Sequence, residues 1–119
     1  MARILIMDDD ETVRLALRTL LQKKGHNVIE AMNAVEGAKT YTQEPLDLVI
    51  TDILMPERDG VEALLELRTH QPQIKTIVIS GDAPEFLPIV EDLGADRAIA
   101  KPFKNQEVLD AVNELLHSH

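Results

Sequence analysis

Short apolar runs alternate with longer amphipathic stretches along the chain, and this alternation predicts five strand–helix units. The runs are rich in Ile and Val and hardly alternate with polar residues, which is typical of strands buried on both faces of a parallel sheet. Helices then cover both faces, joined to the strands by right-handed crossovers. The five runs are Ile4–Met7, Val28–Ile29, Leu46–Ile50, Ile77–Ile79 and the weaker Ala98–Ala100.

The stretches between these runs carry apolar residues at helical spacing. Asp9 or Asp10 is expected to cap the first helix, which ends at Gly25, and Asn33 to cap a second helix that ends before Pro45. The first helix has Val13, Ala16, Leu17, Leu20 and Leu21 on one face, and a weaker second helix has Val35 and Ala38 inward. A third helix after Asp59 carries Val61, Leu64, Leu65 and Arg68, and the clear last helix has Val108, Leu109, Val112, Leu115 and Leu116 on one stripe.

A fifth helix is expected between Ser80 and Gly94, but the pattern there is weaker. Pro88 lacks an N–H group and would clash deep inside a helix, so this helix is predicted to be short and to start near Phe86 or Leu87. The whole pattern predicts the α/β class, as a three-layer (βα)5 sandwich with a parallel five-stranded sheet. In such sheets, ligands bind at the carboxyl ends of the strands.

The composition fits one globular domain with a strongly acidic balance. The chain has 119 residues, 45% of them hydrophobic, and 12 Lys+Arg against 21 Asp+Glu give a net charge of −9. Nucleic acids and anionic membranes attract clustered Lys and Arg, so both kinds of partner are disfavoured. Cysteine is absent, and no signal peptide or membrane-spanning run is visible, so we expect a cytoplasmic protein. The four histidines, which we assign to the surface, are His26, His70, His117 and His119.

Side chains suited to phosphate chemistry stand at the ends of four predicted strands. Asp8 and Asp9 follow the first strand and Asp52 the third, while Ser80 ends the fourth and Lys101 follows the fifth. Crowded carboxylates repel one another, and an all-oxygen ligand set is what Mg²⁺, or Mn²⁺, prefers. Such a site recruits phosphate, so Lys101 would neutralise a phosphoryl oxygen and Ser80 would donate a hydrogen bond. Asp52 is placed to attack phosphorus and form an aspartyl phosphate.

Four sequence blocks follow one another along the chain: ILIMDDD, DLVITDILMPERDG, IVISGD and AIAKPF. With these blocks the chain resembles the receiver (phosphoacceptor) domain of two-component response regulators of the chemotaxis type, over essentially all of residues 1–119. The resemblance implies a flavodoxin-like fold with strand order 2-1-3-4-5. It also implies a phosphoprotein of a phosphorelay, which accepts a phosphoryl group from a histidine kinase or phosphotransfer protein in a Mg²⁺-dependent step. The modified domain then switches its binding to a downstream protein target or fused effector.

The resemblance also implies a role for each site residue. Mg²⁺ would be bound by the carboxylates of Asp8, Asp9 and Asp52 and by the backbone carbonyl of Leu54. Asp52 would be the phosphoacceptor. The remaining site residues by resemblance are Ser80 and Lys101, which bind the phosphoryl group, and Gly81 and Pro102, which are structural, with the Lys101–Pro102 peptide bond cis in the family.

One position departs from the family pattern and keeps an alternative open. The family carries an aromatic residue three positions before its lysine, and this aromatic switch is replaced here by Ala98. A phosphorylation-independent interaction module of the same fold is therefore one alternative. A second is an Asp-nucleophile phosphohydrolase, which Leu54 disfavours because such enzymes place an acid two residues after the nucleophile. The main hypothesis is a non-enzyme that catalyses only its own phosphorylation and dephosphorylation.

Part of the acidic balance belongs to the predicted site. Asp8, Asp9 and Asp52 place three negative charges beside the single positive charge of Lys101. A bound Mg²⁺ would bring this cluster to neutrality and change the formal charge of the chain from −9 to −7. Because a ligand that binds only the folded state stabilises it, we expect Mg²⁺ to stabilise the metal-free protein.

Overall fold

The structure is a computed structural model that describes residues 2–52, 60–81, 91–92 and 94–117, apart from the side chains of Val61 and Ala63. Leu54, Asp59, the expected helix near Phe86 and His119 lie outside the described residues. Within them, the strands are β1 (Arg3–Met7), β2 (Asn27–Ala31), β3 (Leu48–Asp52), β4 (Lys75–Ser80) and β5 (Arg97–Ala100). The helices are α1 (Glu11–Lys23), α2 (Ala34–Tyr41), α3 (Gly60–His70) and α4 (Asn105–Leu116).

The five strands form one parallel sheet in the order β2-β1-β3-β4-β5, which confirms the expected order. In the register, Ile6 lies between Glu30 of β2 and Ile50 of β3. The third strand begins and ends two residues later than predicted. The N–H of Leu46 donates to the side-chain Oε1 of Gln71 at 2.9 Å, so this residue is bound outside the ladder. The shift makes Asp52 the last residue of β3.

Both faces of the sheet are covered by helices, which confirms the three-layer architecture. Successive side chains of β1 point to opposite faces, as strand geometry requires: Ile4 and Ile6 lie in one core cluster, and Leu5 and Met7 in another. The first cluster is completed by Leu17 and Leu21 of α1 and Val108, Val112 and Leu115 of α4. The second is completed by Ala34 and Tyr41 of α2 and Leu67 of α3.

The predicted helix boundaries are confirmed where local signals set them. Asp10 caps α1 by accepting an N–H of the first turn at 2.9 Å, and Asn33 caps α2 in the same way at 2.8 Å. At the end of α1, Gly25 has a φ of 86°, a conformation that favours glycine. The N–H of His26 donates to the carbonyl of Leu21 at 3.2 Å, which completes a Schellman turn.

Three apolar residues of the predicted helical patterns are exposed. Ala16 of α1 is exposed, Val35 of α2 is 48% exposed, and Leu65 of α3 is 52% exposed. In α2 the predicted Ala38 packs against the second core cluster, but the buried face is shifted by about one residue from the one expected with Val35. The buried residues of α2 are Ala34, Gly37 and Tyr41.

One histidine also departs from its predicted surface position. His26 is half-buried, and its Nδ1 accepts the N–H of Ala2 at 3.3 Å. His70 and His117 are exposed, as predicted, and the ring of His70 lies 5.9 Å from that of the buried Tyr41. No helix among the described residues is long and apolar enough to cross a bilayer.

Candidate functional site

Three carboxylates meet at the carboxyl edge of the sheet. Asp8 directly follows β1 and Asp52 ends β3, and these two strands are neighbours. One carboxylate oxygen from each of Asp8, Asp9 and Asp52 lies within 4.8 Å of the others. Asp8 is 1% exposed and Asp52 is 8% exposed, whereas Asp9 is exposed. The cluster therefore has a buried floor formed by two acids and a third acid at the solvent side.

Asp8 is bound on several sides by its neighbours. Its N–H donates to the carbonyl of Ala31 at 3.1 Å, and its Oδ1 accepts the N–H of Asp10 at 2.8 Å. Its backbone carbonyl accepts Nη1 of Arg14 at 2.6 Å. Burial raises the pKa of Asp8 above its ordinary value, although the Asp10 N–H and the charge of Lys101 oppose this rise. The remaining oxygen, Oδ2, lies 3.1 Å from Nζ of Lys101.

Lys101 provides the positive charge at the centre of the site. Its Nζ lies 2.8 Å from Oδ2 of Asp52 and 3.1 Å from Oδ2 of Asp8. Burial alone would lower the pKa of Lys101, but its hydrogen bonds and ion pairs with the two carboxylates raise it overall. The backbone N–H of Lys101 donates to the carbonyl of Ser80 at 2.8 Å. The end of β4 and the lysine are thereby connected.

Ser80 and Gly81 lie on the β4 side of the site. Ser80 is 1% exposed and ends the strand next to the one that carries Asp52. A Cβ at Gly81 would lie 3.2 Å from Cβ of Lys101, so the glycine leaves room for the lysine stem. The peptide bond between Lys101 and Pro102 is cis, as the resemblance implies.

The donor set fits a hard divalent cation. The three side chains offer only carboxylate oxygens, which suit Mg²⁺ better than metals that prefer nitrogen or sulfur. Oδ2 of Asp8 is buried, and within the described residues it contacts the Lys101 ammonium at 3.1 Å. A divalent cation would bind this oxygen directly, together with those of Asp9 and Asp52. The carbonyl of Leu54, the fourth expected ligand, lies outside the described residues.

Arg14 and Glu30 also lie beside the site, and neither was predicted from the sequence. Arg14 contacts the backbone carbonyl of Asp8, and its Nε lies 3.4 Å from Oε1 of Glu30 on β2. The sequence does contain a hint of this contact. Arg14 and Arg18 stand at i, i+4 spacing in α1, and this helix follows three consecutive acids. Residue spacing alone does not reveal a contact between a long side chain and the backbone of another element.

The sequence model of the response regulator receiver domain family matches residues 4–113. The chain belongs to this family. This receiver domain is 37% identical over 117 residues to the chemotaxis protein CheY of Bacillus subtilis, an alignment that covers 97% of the chain and 98% of that protein. It is also similar to the solved CheY-like receiver domain of Methanospirillum hungatei, with a TM-score of 0.91 and 32% identity over 98% of this chain and 94% of that one.

A further solved structure is the response regulator TrrA of Thermotoga maritima in complex with Mg²⁺-BeF. The receiver domain matches it with a TM-score of 0.87 and 32% identity, over 97% of this chain and 99% of that one. The family match confirms the resemblance to receiver domains that the four sequence blocks indicated. The relatives are receiver domains and signalling proteins. The acidic cluster of this receiver domain is consistent with phosphorylation and Mg²⁺ binding.

Proposed function

We propose that this receiver domain accepts a phosphoryl group on Asp52 from a histidine kinase or phosphotransfer protein in the cytoplasm, and then changes its affinity for a protein partner. The observation that carries the proposal is the position of Asp52 at the end of β3. Its carboxylate is bound by the Lys101 ammonium at 2.8 Å and lies within 4.8 Å of two further carboxylates. The proposal extends over residues 1–119 as one receiver unit.

In the transfer step, a carboxylate oxygen of Asp52 attacks phosphorus, and the bond from phosphorus to the donor's nitrogen breaks as the new P–O bond forms. The leaving imidazole takes a proton from solvent. The Lys101 ammonium neutralises one phosphoryl oxygen, and the hydroxyl of Ser80 donates a hydrogen bond to another. When bound by Asp8, Asp9 and Asp52, Mg²⁺ supplies charge neutralisation of the transferred group. The protein's contribution is therefore mainly positioning and electrostatics.

The complex of TrrA with Mg²⁺-BeF supports the same class of site in a relative of this chain. In this chain Asp8 and Asp52 are buried at the strand ends. A buried carboxylate beside an ammonium loses little solvation when an anion approaches, because water has been excluded in advance. These features support phosphoryl transfer over a purely structural use of the acids.

The readout of the signal cannot use side-chain rotation at residue 98. Ala98 pairs with Val78 across β4 and β5 and is half-buried, and its methyl group has no rotamers. We propose that phosphorylation is transmitted from this edge by movement of backbone and of other side chains, with Ser80 as the first of them. Partner specificity would then depend on surfaces that adjoin the site.

Intact mass measurement tests the proposal directly. We expect incubation with acetyl phosphate and Mg²⁺ to add the mass of one phosphoryl group to the wild-type chain and none in the presence of EDTA. Asp52→Asn should abolish the gain. Asp110→Asn is the matched control, because it removes one negative charge from an exposed position on α4 and should be modified like the wild type.

Three results would contradict the proposal. A mass gain that persists in Asp52→Asn would place the modification on another residue. A wild-type chain that gains no mass with acetyl phosphate or with a phosphorylated phosphotransfer protein would favour the phosphorylation-independent interaction module instead. Repeated turnover of a phosphate ester would favour the phosphohydrolase.

A further inference from the structure

Arg14 extends from the first turn of α1 to Asp8, which directly follows β1. Its Nη1 donates to the backbone carbonyl of Asp8 at 2.6 Å, and its side chain is only 12% exposed. That carbonyl belongs to the peptide group that joins Asp8 to Asp9. Because a peptide group is planar, a donor held on its oxygen also restricts the direction of the N–H and Cα of Asp9.

Arg14 is itself held in place by a second element. Glu30 on β2 places Oε1 at 3.4 Å from Nε of Arg14 and Oε2 at 2.6 Å from Nη1 of Arg18. Glu30 pairs in the sheet with Ile6, two residues before Asp8. The guanidinium of Arg14 therefore connects α1 and β2 with the residue that follows β1.

The two acids of the pair differ in how they are held. The side chain of Asp8 is buried and accepts the N–H of Asp10 at 2.8 Å, so its direction has a support other than Arg14. The side chain of Asp9 is exposed, so packing restricts it little. The direction of the Asp9 carboxylate therefore depends mainly on the backbone, and Arg14 holds that backbone.

We propose that Arg14 is a positioning residue for the metal site. It holds the Asp8–Asp9 peptide in the orientation in which the Asp9 carboxylate joins those of Asp8 and Asp52 around a divalent cation. This inference rests on the proposed function, since it concerns the cation that the phosphoryl transfer requires. Lys101 places a positive charge beside the acids, whereas Arg14 orients the backbone of Asp9 through the carbonyl of Asp8.

Arg14→Gln and Arg18→Gln form a matched pair for the test. Each substitution removes one positive charge and one ion pair with Glu30 from α1, but only the first removes a contact with Asp8. The Kd for Mg²⁺ is measured by calorimetric titration of the full chain without a phosphodonor. We expect Arg14→Gln to weaken Mg²⁺ binding by roughly tenfold or more, as loss of a residue that orients a ligand does. Arg18→Gln should change the Kd by less than about twofold.

The amide resonance of Asp9 gives a second readout that a general loss of stability would not move. In ¹H–¹⁵N spectra of the metal-free proteins, this resonance should shift in Arg14→Gln and stay in place in Arg18→Gln. If Arg14→Gln does not fold, Arg14→Lys against Arg18→Lys repeats the comparison, because the lysine keeps the charge on a shorter side chain. As with the glutamine variants, we expect weaker Mg²⁺ binding and a shifted Asp9 resonance in Arg14→Lys and not in Arg18→Lys.

The outcomes separate the inference from the proposed function. An unchanged Kd in Arg14→Gln, or an equal weakening in Arg18→Gln, overturns the positioning role and leaves phosphorylation of Asp52 untouched. An unmoved Asp9 resonance in Arg14→Gln overturns it as well. Absence of Mg²⁺ binding in the wild-type chain contradicts the proposed function itself, and the inference about Arg14 is then overturned with it.

Discussion

At the scale of single residues, the pKa of Asp8 shows that burying a carboxylate in the acidic cluster has a free-energy cost. Burial raises the pKa of Asp8, and the Asp10 N–H and the Lys101 ammonium only partly oppose this rise. A raised pKa in the folded state means that the charged form is less favourable there than in the unfolded chain. At neutral pH the carboxylate of Asp8 therefore lowers the stability of the metal-free protein.

We expect Asp8→Asn to raise the free energy of unfolding of the metal-free protein at pH 7. Asparagine keeps an oxygen for the Asp10 N–H and removes the charge whose burial is unfavourable. The difference between variant and wild type should grow as the pH rises through 3.8, where the unfolded carboxyl is half ionised, and level off above the folded pKa. Urea unfolding in EDTA at several pH values measures it.

Asp9→Asn is the control for this substitution, because it removes the same charge from the exposed acid of the cluster. A smaller gain in Asp9→Asn than in Asp8→Asn would indicate desolvation as the cause. Equal gains would indicate simple relief of repulsion between acids. A loss of stability in Asp8→Asn would show that its ion pair with Lys101 outweighs its burial.

The contribution of His26 to folding stability should have the opposite dependence on pH. Its half-buried ring accepts the N–H of Ala2, and burial lowers the pKa of His26 below its ordinary value. The unfolded chain therefore binds a proton first as the pH falls through 6.5, and folding stability is lost from there down to the folded pKa. We expect the free energy of unfolding to fall less between pH 7.5 and pH 5 in His26→Gln than in the wild type. If the free energies of unfolding of His26→Gln and the wild type fall in parallel across that pH range, this expectation is wrong.

At the scale of elements, the sequence was sufficient where the signal is local or topological. Asp10, Asn33 and Gly25 stand at helix ends because their side chains, or lack of one, suit those backbone positions. The runs of Ile and Val predicted a sheet with both faces covered, and a parallel sheet brings all carboxyl ends to one edge. The meeting of Asp8, Asp9 and Asp52 follows from that topology without any knowledge of distances.

The features that were not predicted depend on contacts between elements. The apolar pattern placed Val35 inward, but α2 turns Gly37 and Tyr41 toward the sheet, and neither a glycine nor a tyrosine contributes to a simple apolar stripe. Leu46 was predicted to begin β3, but its N–H donates to the side chain of Gln71, which lies far away in the sequence. The contact of Arg14 with the carbonyl of Asp8 joins a long side chain to another element's backbone. None of these has a periodic signature.

Gly37 illustrates how closely α2 approaches the sheet. A Cβ at this position would lie 2.2 Å from Sδ and 2.9 Å from Cγ of Met7, the fully buried residue that precedes Asp8. Alanine is the better helix former by about 1 kcal/mol, but overpacking a core costs about 1–3 kcal/mol. We therefore expect Gly37→Ala to lower the free energy of unfolding by about 1 kcal/mol, as measured by urea denaturation.

A double-mutant cycle identifies the cause of that loss. In a Met7→Ala background the thioether is gone, so Gly37→Ala should be neutral or stabilising there. Lys39→Ala, at an exposed position of the same helix, is the control for helix propensity. If Gly37→Ala is equally destabilising with and without the Met7 side chain, the close approach of α2 to β1 is not the reason.

At the scale of the whole molecule, the net charge of −9 affects stability in two ways that salt can separate. Exposed acids across the surface repel one another, and any electrolyte screens this repulsion over a Debye length of about 10 Å at 0.1 M ionic strength. The cluster of Asp8, Asp9 and Asp52 is compact and partly buried, so monovalent salt screens it much less. A dication that binds the three carboxylates acts on this second part alone.

We therefore expect MgCl₂ to raise the melting temperature of the metal-free protein beyond the rise produced by NaCl at equal ionic strength. At a free Mg²⁺ concentration ten times the Kd, binding adds about 1.4 kcal/mol of stability. For a chain of 119 residues this corresponds to about 5 °C in the midpoint, measured by circular dichroism or calorimetry. The additional rise in melting temperature in MgCl₂ over NaCl should disappear in Asp9→Asn. It should persist in Asp110→Asn, which loses the same charge outside the cluster. If NaCl reproduces the whole rise, the acids at the sheet edge behave as part of the general surface charge and do not form a metal site.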